Sequence, residues 1–303
     1  MDKKQFRDED LSHLFYKNNV IEIDSCVCCG GRDINLWCRT QTFSAFQCGN
    51  CGFVFMNPQL DINGLNDYYN NYLGKRRINN SKKMEQRTIQ YEQDAQVLFD
   101  RGFTGGKLLD VGCNGGFFLS TLGNQFDRYG TEIDPEAVEF CKINVSDFSG
   151  NIFNGVLEDA NFGDSFFDVV TMRGVIEHVP NPTATLSEVA RILKPGGILF
   201  ICATPNVDSV AADYYRENWS LFHPVQHLWH FSPKTLSRLA SKYNFRLEWQ
   251  ELPYIGTPYE DFLSDLTKFA SDIESSNAIA AKEIVSPPFF GSMMSLIFRK
   301  VDK

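Results

Sequence analysis

The segment 107–119, KLLDVGCNGGFFL, constrains the fold more than any other part of the chain. Its mostly apolar start is typical of a short buried strand. The cluster between Gly112 and Gly116 breaks this strand, and the apolar residues from Phe117 onward have the spacing of a helix. Glycine lets the backbone approach a ligand closely, because it has no Cβ and can adopt positive φ. The segment therefore predicts a strand–turn–helix corner that binds a nucleotide.

Two acidic residues accompany this corner. Asp110 lies two positions before the first glycine, where a carboxylate suits a ligand with an ammonium or sulfonium charge and repels a diphosphate. Glu132 ends the next predicted strand, about 20 residues downstream, where an acid can accept hydrogen bonds from ribose hydroxyls. The glycine turn and the two acids together indicate S-adenosylmethionine as the cofactor.

These motifs resemble those of the class I S-adenosylmethionine-dependent methyltransferases over residues 104–206. The first motif runs from Asp110 to Gly116, with Asn114 where glycine is commoner; asparagine tolerates the left-handed conformation best among the other residues. Later landmarks follow in the family's order: Val156–Asp159, Phe167–Val170, Val175–Val179, Leu193–Gly197 and Thr204–Asn206. The resemblance implies cofactor contacts from Asp110, Gly112, Cys113, Asn114, Gly116, Phe117, Glu132, Ile133, Leu157, Glu158 and Arg173.

Alternating strand and helix patterns predict an α/β fold. Strands are expected at 107–111, 127–132, 151–154, 167–172 and 197–203, followed by two late strands at 246–251 and 292–301. Continuous apolar runs suit a parallel sheet that is buried on both faces. The resemblance implies a Rossmann-like, doubly wound, seven-stranded sheet whose last strand is antiparallel. The stretch 219–230 is predicted to be irregular.

Two CxxC pairs lie in the N-terminal part, Cys26 with Cys29 and Cys48 with Cys51, and 18 residues separate them. This spacing is typical of a zinc ribbon in which each pair forms a tight turn. Four thiolates leave no open coordination position, so we expect a structural zinc rather than a catalytic one. Cys28 could replace Cys26 only by breaking the two-residue spacing.

Length and composition set further expectations. The 303 residues suffice for a full-sized domain and a smaller one. We divide them into a zinc-ribbon-like domain with a tyrosine-rich connector (1–75), a linker helix (76–103) and a methyltransferase domain (104–303). A net charge of −9 disfavours nucleic acid as a partner. A polar N-terminus, and no apolar stretch of about 20 residues, predict a cytoplasmic protein without membrane insertion. Nothing in the sequence indicates an oligomeric state.

Candidate catalytic side chains follow the predicted strands, because ligands of open parallel sheets bind at the carboxyl ends of the strands. His178 follows the fourth strand, beside Glu177, which could instead cap the next helix. His227 lies in a histidine-rich stretch after the fifth strand, and Tyr72 lies in the tyrosine-rich connector. Histidine titrates near neutral pH and suits a general base.

The combination of a four-cysteine domain, a class I core and the stretch 227–233 is similar to bacterial methyltransferases of sugar and secondary-metabolite pathways. The resemblance implies methyl transfer to oxygen or carbon of a small molecule, above all a nucleotide-linked sugar. One alternative is a zinc-ribbon-guided RNA methyltransferase, against which the acidic charge argues. Another is a non-catalytic S-adenosylmethionine-binding module, which the intact cofactor motif neither requires nor excludes.

Overall fold

The computed structural model describes residues 19–69, 81–144, 151–275 and 286–302. The chain forms two compact units, each made of several segments. The first, here called the cysteine unit, takes its residues from 1–80, 206–235 and 261–292; the second, the sheet unit, takes them from 81–205, 236–260 and 293–303. Tyr72 lies outside the described residues, so its role stays a prediction.

The first part of the cysteine unit consists mainly of short strands. Its elements are β1 (Val20–Ile21), β2 (Ile34–Arg39), β3 (Ser44–Cys48), β4 (Val54–Met56), β5 (Gln59–Leu60) and the helix α1 (Ile62–Tyr68). β1 and β5 form a separate antiparallel pair. α1 begins where the Asp61 side chain accepts a hydrogen bond from the Gly64 N–H (2.8 Å), which caps the N-terminus of the helix.

The sheet unit begins with a long helix and then alternates strands and helices. Its elements up to residue 205 are α2 (Ser81–Asp100), β6 (Gly106–Val111), α3 (Phe117–Thr121), β7 (Phe126–Glu132), α4 (Pro135–Asn144), β8 (Ile152–Asn154), β9 (Phe167–Arg173), α5 (Pro182–Ile192) and β10 (Leu193–Pro205). A short 3₁₀ helix, Leu157–Asp159, follows β8. The five predicted strands are confirmed, and β10 begins earlier than predicted.

The later elements alternate between the two units. In chain order they are α6 (Val210–Tyr215), β11 (Trp229–His230), α7 (Pro233–Ser241), β12 (Phe245–Glu251), α8 (Phe262–Glu274) and β13 (Met293–Lys300). α6, β11 and α8 belong to the cysteine unit, whereas β12 and β13 belong to the sheet unit. In the described part of the chain, no helix has the length and apolar character needed to cross a membrane.

The sheet unit is built on a seven-stranded mixed sheet of order β12-β13-β10-β9-β6-β7-β8. The strands from β6 to β10 pair in parallel, and β13 runs antiparallel to both β10 and β12. The order reverses at β6, which lies between β7 and β9, and such a switch opens a crevice at the carboxyl ends of the strands. The Rossmann-like fold and its antiparallel last strand are therefore confirmed.

Apolar side chains fill both faces of this sheet. Consecutive residues of β6, Leu108 and Leu109, are both 0% exposed although they point to opposite faces. One core cluster joins the sheet to α2 and α3 through Ala95, Leu98, Leu108, Phe118, Leu119 and Val169. This packing fixes the position of the turn that follows β6.

A four-stranded antiparallel sheet of order β11-β4-β3-β2 organises the cysteine unit. Trp229 and His230 of β11 pair with Phe55 and Val54 of β4. The prediction of irregular chain up to residue 230 is therefore wrong at its end, because a two-residue strand has no periodic pattern and forms only through its distant partner. The pairing also places residues 206–235 in the cysteine unit, in addition to the N-terminal segment.

Candidate functional site

The chain leaves the centre of the large sheet at the end of β6 and turns sharply into α3. Three residues of this turn are left-handed: Gly112 (φ 71°), Asn114 (φ 50°) and Gly116 (φ 75°). A Cβ on Gly112 would lie 2.8 Å from Cγ2 of Val175, so only glycine fits there. The Asn114 side chain supports its own conformation by accepting a hydrogen bond from the Gly115 N–H (2.8 Å).

Glu132, the last residue of β7, is bonded to this turn. Its carboxylate accepts hydrogen bonds from the N–H groups of Asn114 (2.8 Å) and Asp134 (2.9 Å), and the residue is 5% exposed. A carboxylate has about four lone-pair sites, and these bonds use two of them. The other two are suited to the vicinal hydroxyls of a ribose, which is the ligand that the sequence predicts here.

Asp110 lies within β6, two residues before the turn, and is 3% exposed. Its carboxylate accepts a hydrogen bond from Oγ1 of Thr171 (2.7 Å). Burial raises the pKa of Asp110 to about 7; the Thr171 hydrogen bond and the charge of Arg173 oppose this rise, and the charge of Glu132 adds to it. A cationic ligand would favour the ionised form of this carboxyl, so its binding and the ionisation of Asp110 are coupled.

The predicted adenine-binding residues lie next to the end of β7. The N–H of Gly155, the residue directly after β8, donates a hydrogen bond to the Glu132 carbonyl (2.9 Å). This segment leads to Leu157, which is 2% exposed, and to Glu158, whose carboxylate accepts a hydrogen bond from Oγ1 of Thr185 (2.7 Å). Ile133 is 52% exposed beside Glu132, an apolar surface that suits the face of an adenine ring.

Two further predicted residues belong to the turn and to the helix after it. Cys113 is 4% exposed, and its N–H donates to the Thr131 carbonyl (3.0 Å), which ties the turn to β7. Phe117 begins α3, and its ring stacks on that of Tyr91 with the centroids 6.5 Å apart. The predicted cofactor residues thus gather at the carboxyl ends of the strands, within the sheet unit.

Arg173, at the end of β9, is paired with a residue of α2, the helix predicted only as a linker. Its Nε and Nη2 lie 2.7 and 2.5 Å from Oδ2 of Asp94. Burial would lower the pKa of Arg173, but the Asp94 carboxylate outweighs this effect and raises it. Asp94 was not among the predicted site residues, although a lone acid on the apolar face formed by Tyr91, Ala95 and Leu98 was a signal for it.

Glu177 and His178 follow β9 at the same edge of the sheet. Glu177 is 2% exposed and accepts a hydrogen bond from Oγ1 of Thr204 (3.2 Å), and Nε2 of His178 lies 4.0 Å from its Oε1. Burial raises the pKa of Glu177 to about 8, against the hydrogen bonds from its own backbone and from Thr204. Glu177 does not cap the next helix, because the N-cap of α5 is Asn181, which accepts from the Ala184 N–H (3.1 Å).

The buried carboxyl of Glu177 predicts a pH-dependent stability. Between its ordinary pKa of 4.5 and about 8, the unfolded chain has lost this proton and the folded chain keeps it, so stability falls as pH rises. Glu177→Gln should therefore raise the free energy of unfolding at pH 8 by on the order of 4 kcal/mol and change it little at pH 4.5. Denaturant unfolding at both pH values measures this, with the exposed Glu136→Gln as control. Equal changes at the two pH values would contradict the assignment.

His227 lies in the cysteine unit, shortly before β11. Its Nδ1 is 3.0 Å from the Leu221 carbonyl, and because a carbonyl only accepts, Nδ1 is the donor of this hydrogen bond. The rings of His223 and His230 lie beside it, with centroids 4.8 and 6.2 Å away. Of the two histidines predicted to be catalytic, His178 belongs to the sheet unit and His227 to the cysteine unit.

The four cysteines of the two CxxC pairs lie close together, with all Sγ atoms within 4.8 Å of one another. The Cys26 and Cys51 sulfurs are 3.6 Å apart, and those of Cys29 and Cys48 are 3.5 Å apart. A tetrahedral zinc–thiolate site with bonds of about 2.3 Å separates its sulfurs by about 3.8 Å. In each pair, the N–H of the glycine after the second cysteine donates to the carbonyl of the first (2.6 and 2.8 Å). This donor set fits a structural zinc.

The two remaining N-terminal cysteines lie outside this group. Cys28 is 0% exposed, and its thiol donates to the Thr235 carbonyl (3.4 Å). Cys38 is 6% exposed, and burial raises the pKa of its thiol to about 12. Both are therefore buried thiols, and the geometry favours Cys26 over Cys28 as the fourth ligand.

Comparison with known proteins shows which family matches this chain and which characterised proteins are similar to it. The methyltransferase-domain family matches residues 84–250. A ubiquinone biosynthesis O-methyltransferase of Xanthomonas oryzae pv. oryzae is 38% identical over 103 residues, which cover 32% of this chain and 42% of that protein. A protein of the same name from Idiomarina loihiensis is 30% identical over 149 residues, which cover 46% of this chain and 61% of that protein. The chain thus spans less than two thirds of the length of these relatives.

Two solved structures share the fold. A Galdieria sulphuraria protein, proposed to be a sarcosine dimethylglycine methyltransferase, has a TM-score of 0.52 at 20% identity, covering 71% of this chain and 86% of that one. An S-adenosylmethionine-dependent methyltransferase of Thermotoga maritima has a TM-score of 0.50 at 18% identity, and the match covers 78% of this chain and 98% of that one. At such identities the likeness concerns the fold alone. Because the family match spans more than half of the chain and falls on the sheet and turn described above, the chain belongs to the methyltransferase-domain family.

Proposed function

We propose that this chain is an S-adenosylmethionine-dependent methyltransferase that acts on a hydroxyl group of a small molecule. The observation that carries this proposal is the arrangement of Asp110 and Glu132, two buried acids beside a left-handed turn that lacks bulk at Gly112. A ligand that combines a positive charge with a ribose satisfies both acids.

Each part of the cofactor has residues suited to it. Glu132 would accept hydrogen bonds from the ribose, Ile133 would contact the adenine face, and Asp110 would stabilise the positive charge. The remaining proposed contacts are Gly112, Cys113, Asn114, Gly116, Phe117, Leu157, Glu158 and Arg173. Bound S-adenosylmethionine supplies a methyl group that is activated by its sulfonium. The protein must then align the acceptor and remove its proton.

We further propose that a histidine is the general base. The imidazole would take the proton of the acceptor hydroxyl, and the oxygen would then accept the methyl group with S-adenosylhomocysteine as the leaving group. His178 has the buried Glu177 carboxyl 4.0 Å away, and the hydrogen bond from Nδ1 of His227 to the Leu221 carbonyl (3.0 Å) orients the His227 ring. Tyr72 is kept as a further candidate on the sequence pattern alone.

His178→Gln is expected to lower kcat by about 10²- to 10⁴-fold, the usual contribution of general base catalysis, without changing the affinity for S-adenosylhomocysteine. His227→Gln is the parallel variant that tests the second candidate. An acceptor whose hydroxyl is already ionised should restore activity to the variant that lost its base, which damaged packing would not allow. Full activity in both variants would exclude both histidines as the base.

An oxygen acceptor is supported by the names of the curated relatives, which are O-methyltransferases of ubiquinone biosynthesis. The nucleotide-linked sugar that the sequence motifs suggest is a proposal on that resemblance alone. Catechols and nucleotide-linked sugars both carry hydroxyl groups, so one assay compares them as acceptors. The protein is incubated with S-adenosylmethionine labelled in its methyl group and with catechols, nucleotide-linked deoxy-keto sugars or RNA fragments. We expect label in a small molecule. Label in RNA alone would overturn the small-molecule proposal.

For the cysteine unit we propose a structural zinc held by Cys26, Cys29, Cys48 and Cys51. The sulfur–sulfur distances of 3.5 and 3.6 Å support it, as does the closed set of four thiolates. The zinc would connect strand β3, which ends at Cys48, with the loop before β2. Its role would be to stabilise the fold of the unit rather than to take part in methyl transfer.

A further inference from the structure

The helix α8 of the cysteine unit exposes its apolar side chains and buries its acids. Asp265 and Asp272 are 7% and 8% exposed. Leu263, in contrast, is 76% exposed, and Leu266 and Ile273 are 41% and 46% exposed. A surface helix normally has the opposite arrangement, with its apolar stripe toward the core and its charges toward water. The outer face of α8 therefore has the composition of a surface that another element covers.

Contacts with α6 fix the helix in this orientation. Oδ2 of Asp272 accepts hydrogen bonds from the Tyr215 hydroxyl and from Nζ of Lys268, both at 2.5 Å. The Tyr214 hydroxyl donates to the Asp272 carbonyl (3.1 Å), and the Tyr214 ring lies 5.4 Å from that of Phe269. A rotation that buried the leucines would break these hydrogen bonds and leave their buried groups without partners. The outward apolar face is thus built into the unit.

The exposed apolar residues of α8 form one continuous strip, here called the α8 strip, made of Phe262, Leu263, Leu266, Ala270 and Ile273. From Leu263 onward, they follow one another at steps of three, four and three residues. This is the spacing of the contact positions in a coiled coil, where one helix packs along another. The α8 strip is therefore suited to pack against a second helix.

The α8 strip is complementary to itself when two copies run antiparallel. Leu263 then faces Ile273 of the second copy, and Leu266 faces Ala270 of the second copy. The small alanine opposite a leucine lets the two helix axes approach closely, and each pair occurs twice. Such pairing closes around a twofold axis, which is the commonest symmetry of protein dimers.

The distribution of charge favours the same partner. The chain carries a net charge of −9, so two copies repel each other over most orientations. Asp265 and Asp272 lie on the inner side of α8, and the residues that border the middle of the α8 strip are uncharged: Ser264, Thr267 and Ser271. A helix that binds a membrane surface has lysine or arginine beside its apolar face. Lys268, the only basic residue of α8, is instead bound to Asp272.

The area of this surface predicts a weak dimer. Phe290 is 49% exposed and follows Phe289, whose ring stacks on that of Phe269 with the centroids 5.2 Å apart. At about 200 Å² for a large side chain, the α8 strip and Phe290 leave roughly 500 Å² of apolar surface in each copy. Two copies would cover about 1,000 Å² together, the lower limit of a specific interface, so we expect a dissociation constant on the order of micromolar.

We propose that the α8 strip is the contact between two copies of this chain, in which the two α8 helices pack antiparallel about a twofold axis. The inference goes beyond the proposed function, because it concerns the association of the chain and does not depend on methyl transfer. It also gives the reversed amphipathic character of α8 a physical reason, since the leucines are covered in the dimer.

Sedimentation velocity of the full chain over a wide range of concentration tests this proposal. The wild-type protein should show a monomer–dimer equilibrium, and salt should strengthen the dimer because it screens the repulsion between two acidic chains. Leu263→Glu and Ile273→Lys should each weaken association by about tenfold or more, since each places a charge in the apolar contact. In the double variant the new acid and the new base face each other across the antiparallel pair. Association should then return, and added salt should weaken it.

Ile143→Glu is the matched control, because Ile143 is 72% exposed at the end of α4 and lies outside the α8 strip. This variant should associate like the wild type. A wild-type protein that stays monomeric overturns the proposal, as does a dimer that Leu263→Glu leaves intact. A double variant that stays monomeric overturns the antiparallel pairing.

Two further measurements identify another occupant if the wild-type protein is monomeric. A lower free energy of unfolding in Leu263→Glu than in Ile143→Glu would assign the α8 strip to other residues of the same chain, such as 276–285. Binding of the wild type, but not of Leu263→Glu, to vesicles of anionic lipid would assign it to a membrane surface. Either result overturns the dimer and leaves the proposed methyltransferase function standing.

Discussion

Cys48→Ala is expected to abolish zinc binding and to unfold the cysteine unit. Cys48 ends β3 and is 0% exposed, so its sulfur links the sheet of the unit to the two cysteine turns. Binding of a structural zinc contributes about 10 to 16 kcal/mol in small metal domains, which is as large as the whole stability of a typical domain, about 5 to 15 kcal/mol. Elemental analysis should give one zinc per chain for the wild type and none for the variant, and the remaining thiols should react rapidly with a thiol reagent.

Cys28→Ala is the matched control for this experiment. Cys28 is as deeply buried and lies between Cys26 and Cys29, but its thiol donates to the Thr235 carbonyl (3.4 Å) and it stands outside the four-sulfur group. We expect this variant to keep one zinc per chain. Loss of zinc from Cys28→Ala together with its retention in Cys26→Ala would exchange the two residues in the assignment. Full zinc content and stability in Cys48→Ala would end the metal proposal.

Glu132→Gln is expected to weaken the binding of S-adenosylhomocysteine by about ten- to a hundredfold, the value of a hydrogen bond to a charged group. The substitution acts in two ways. It removes the charge that strengthens bonds from ribose hydroxyls, and it places an amide NH₂ against one of two backbone donors, the N–H of Asn114 or that of Asp134. The second effect would loosen the turn after β6.

Calorimetry with S-adenosylhomocysteine and its 2′-deoxy analogue measures this prediction. The wild-type protein should distinguish the two ligands, and Glu132→Gln should not, because the group that recognises the ribose hydroxyl has changed. Glu136→Gln, an exposed acid in the first turn of α4, serves as the control and should bind like the wild type. Undiminished affinity in Glu132→Gln would remove the ribose assignment.

The parts of the fold that the sequence predicts well are those set by short-range chemistry. The strand β6 carries apolar residues on both faces, and the turn after it needs positive φ at Gly112. Neighbouring residues in the sequence therefore determine this strand–turn–helix segment. The same holds for the two CxxC pairs, because two-residue spacing and a following glycine define each turn locally. The position of Glu132 beside the turn could be predicted because one helix and one strand set its distance from the turn along the chain.

The parts that the sequence misses depend on partners that are distant in the chain. β11 has only two residues and exists because β4 pairs with it. Asp94 becomes part of the candidate site only through Arg173 on another element. Glu177 is easily taken for a helix cap, but Asn181 caps α5 and the carboxyl of Glu177 is buried against Thr204 instead. Local sequence patterns do not carry these long-range contacts.

The division of the cysteine unit into separate stretches of chain bears on how it is made. All four cysteines leave the ribosome long before β11, so the proposed zinc would be bound by an incomplete unit in which β4 pairs with β3 but not yet with β11. Until then, the rings of Phe53 and Phe55 lack the cover of Phe231 and Trp229, which lie 5.0 and 6.4 Å away in the finished fold. A fragment that ends after β4 would leave this apolar surface exposed to solvent. Grafting that fragment onto another enzyme would therefore transfer the four cysteines together with an uncovered apolar surface.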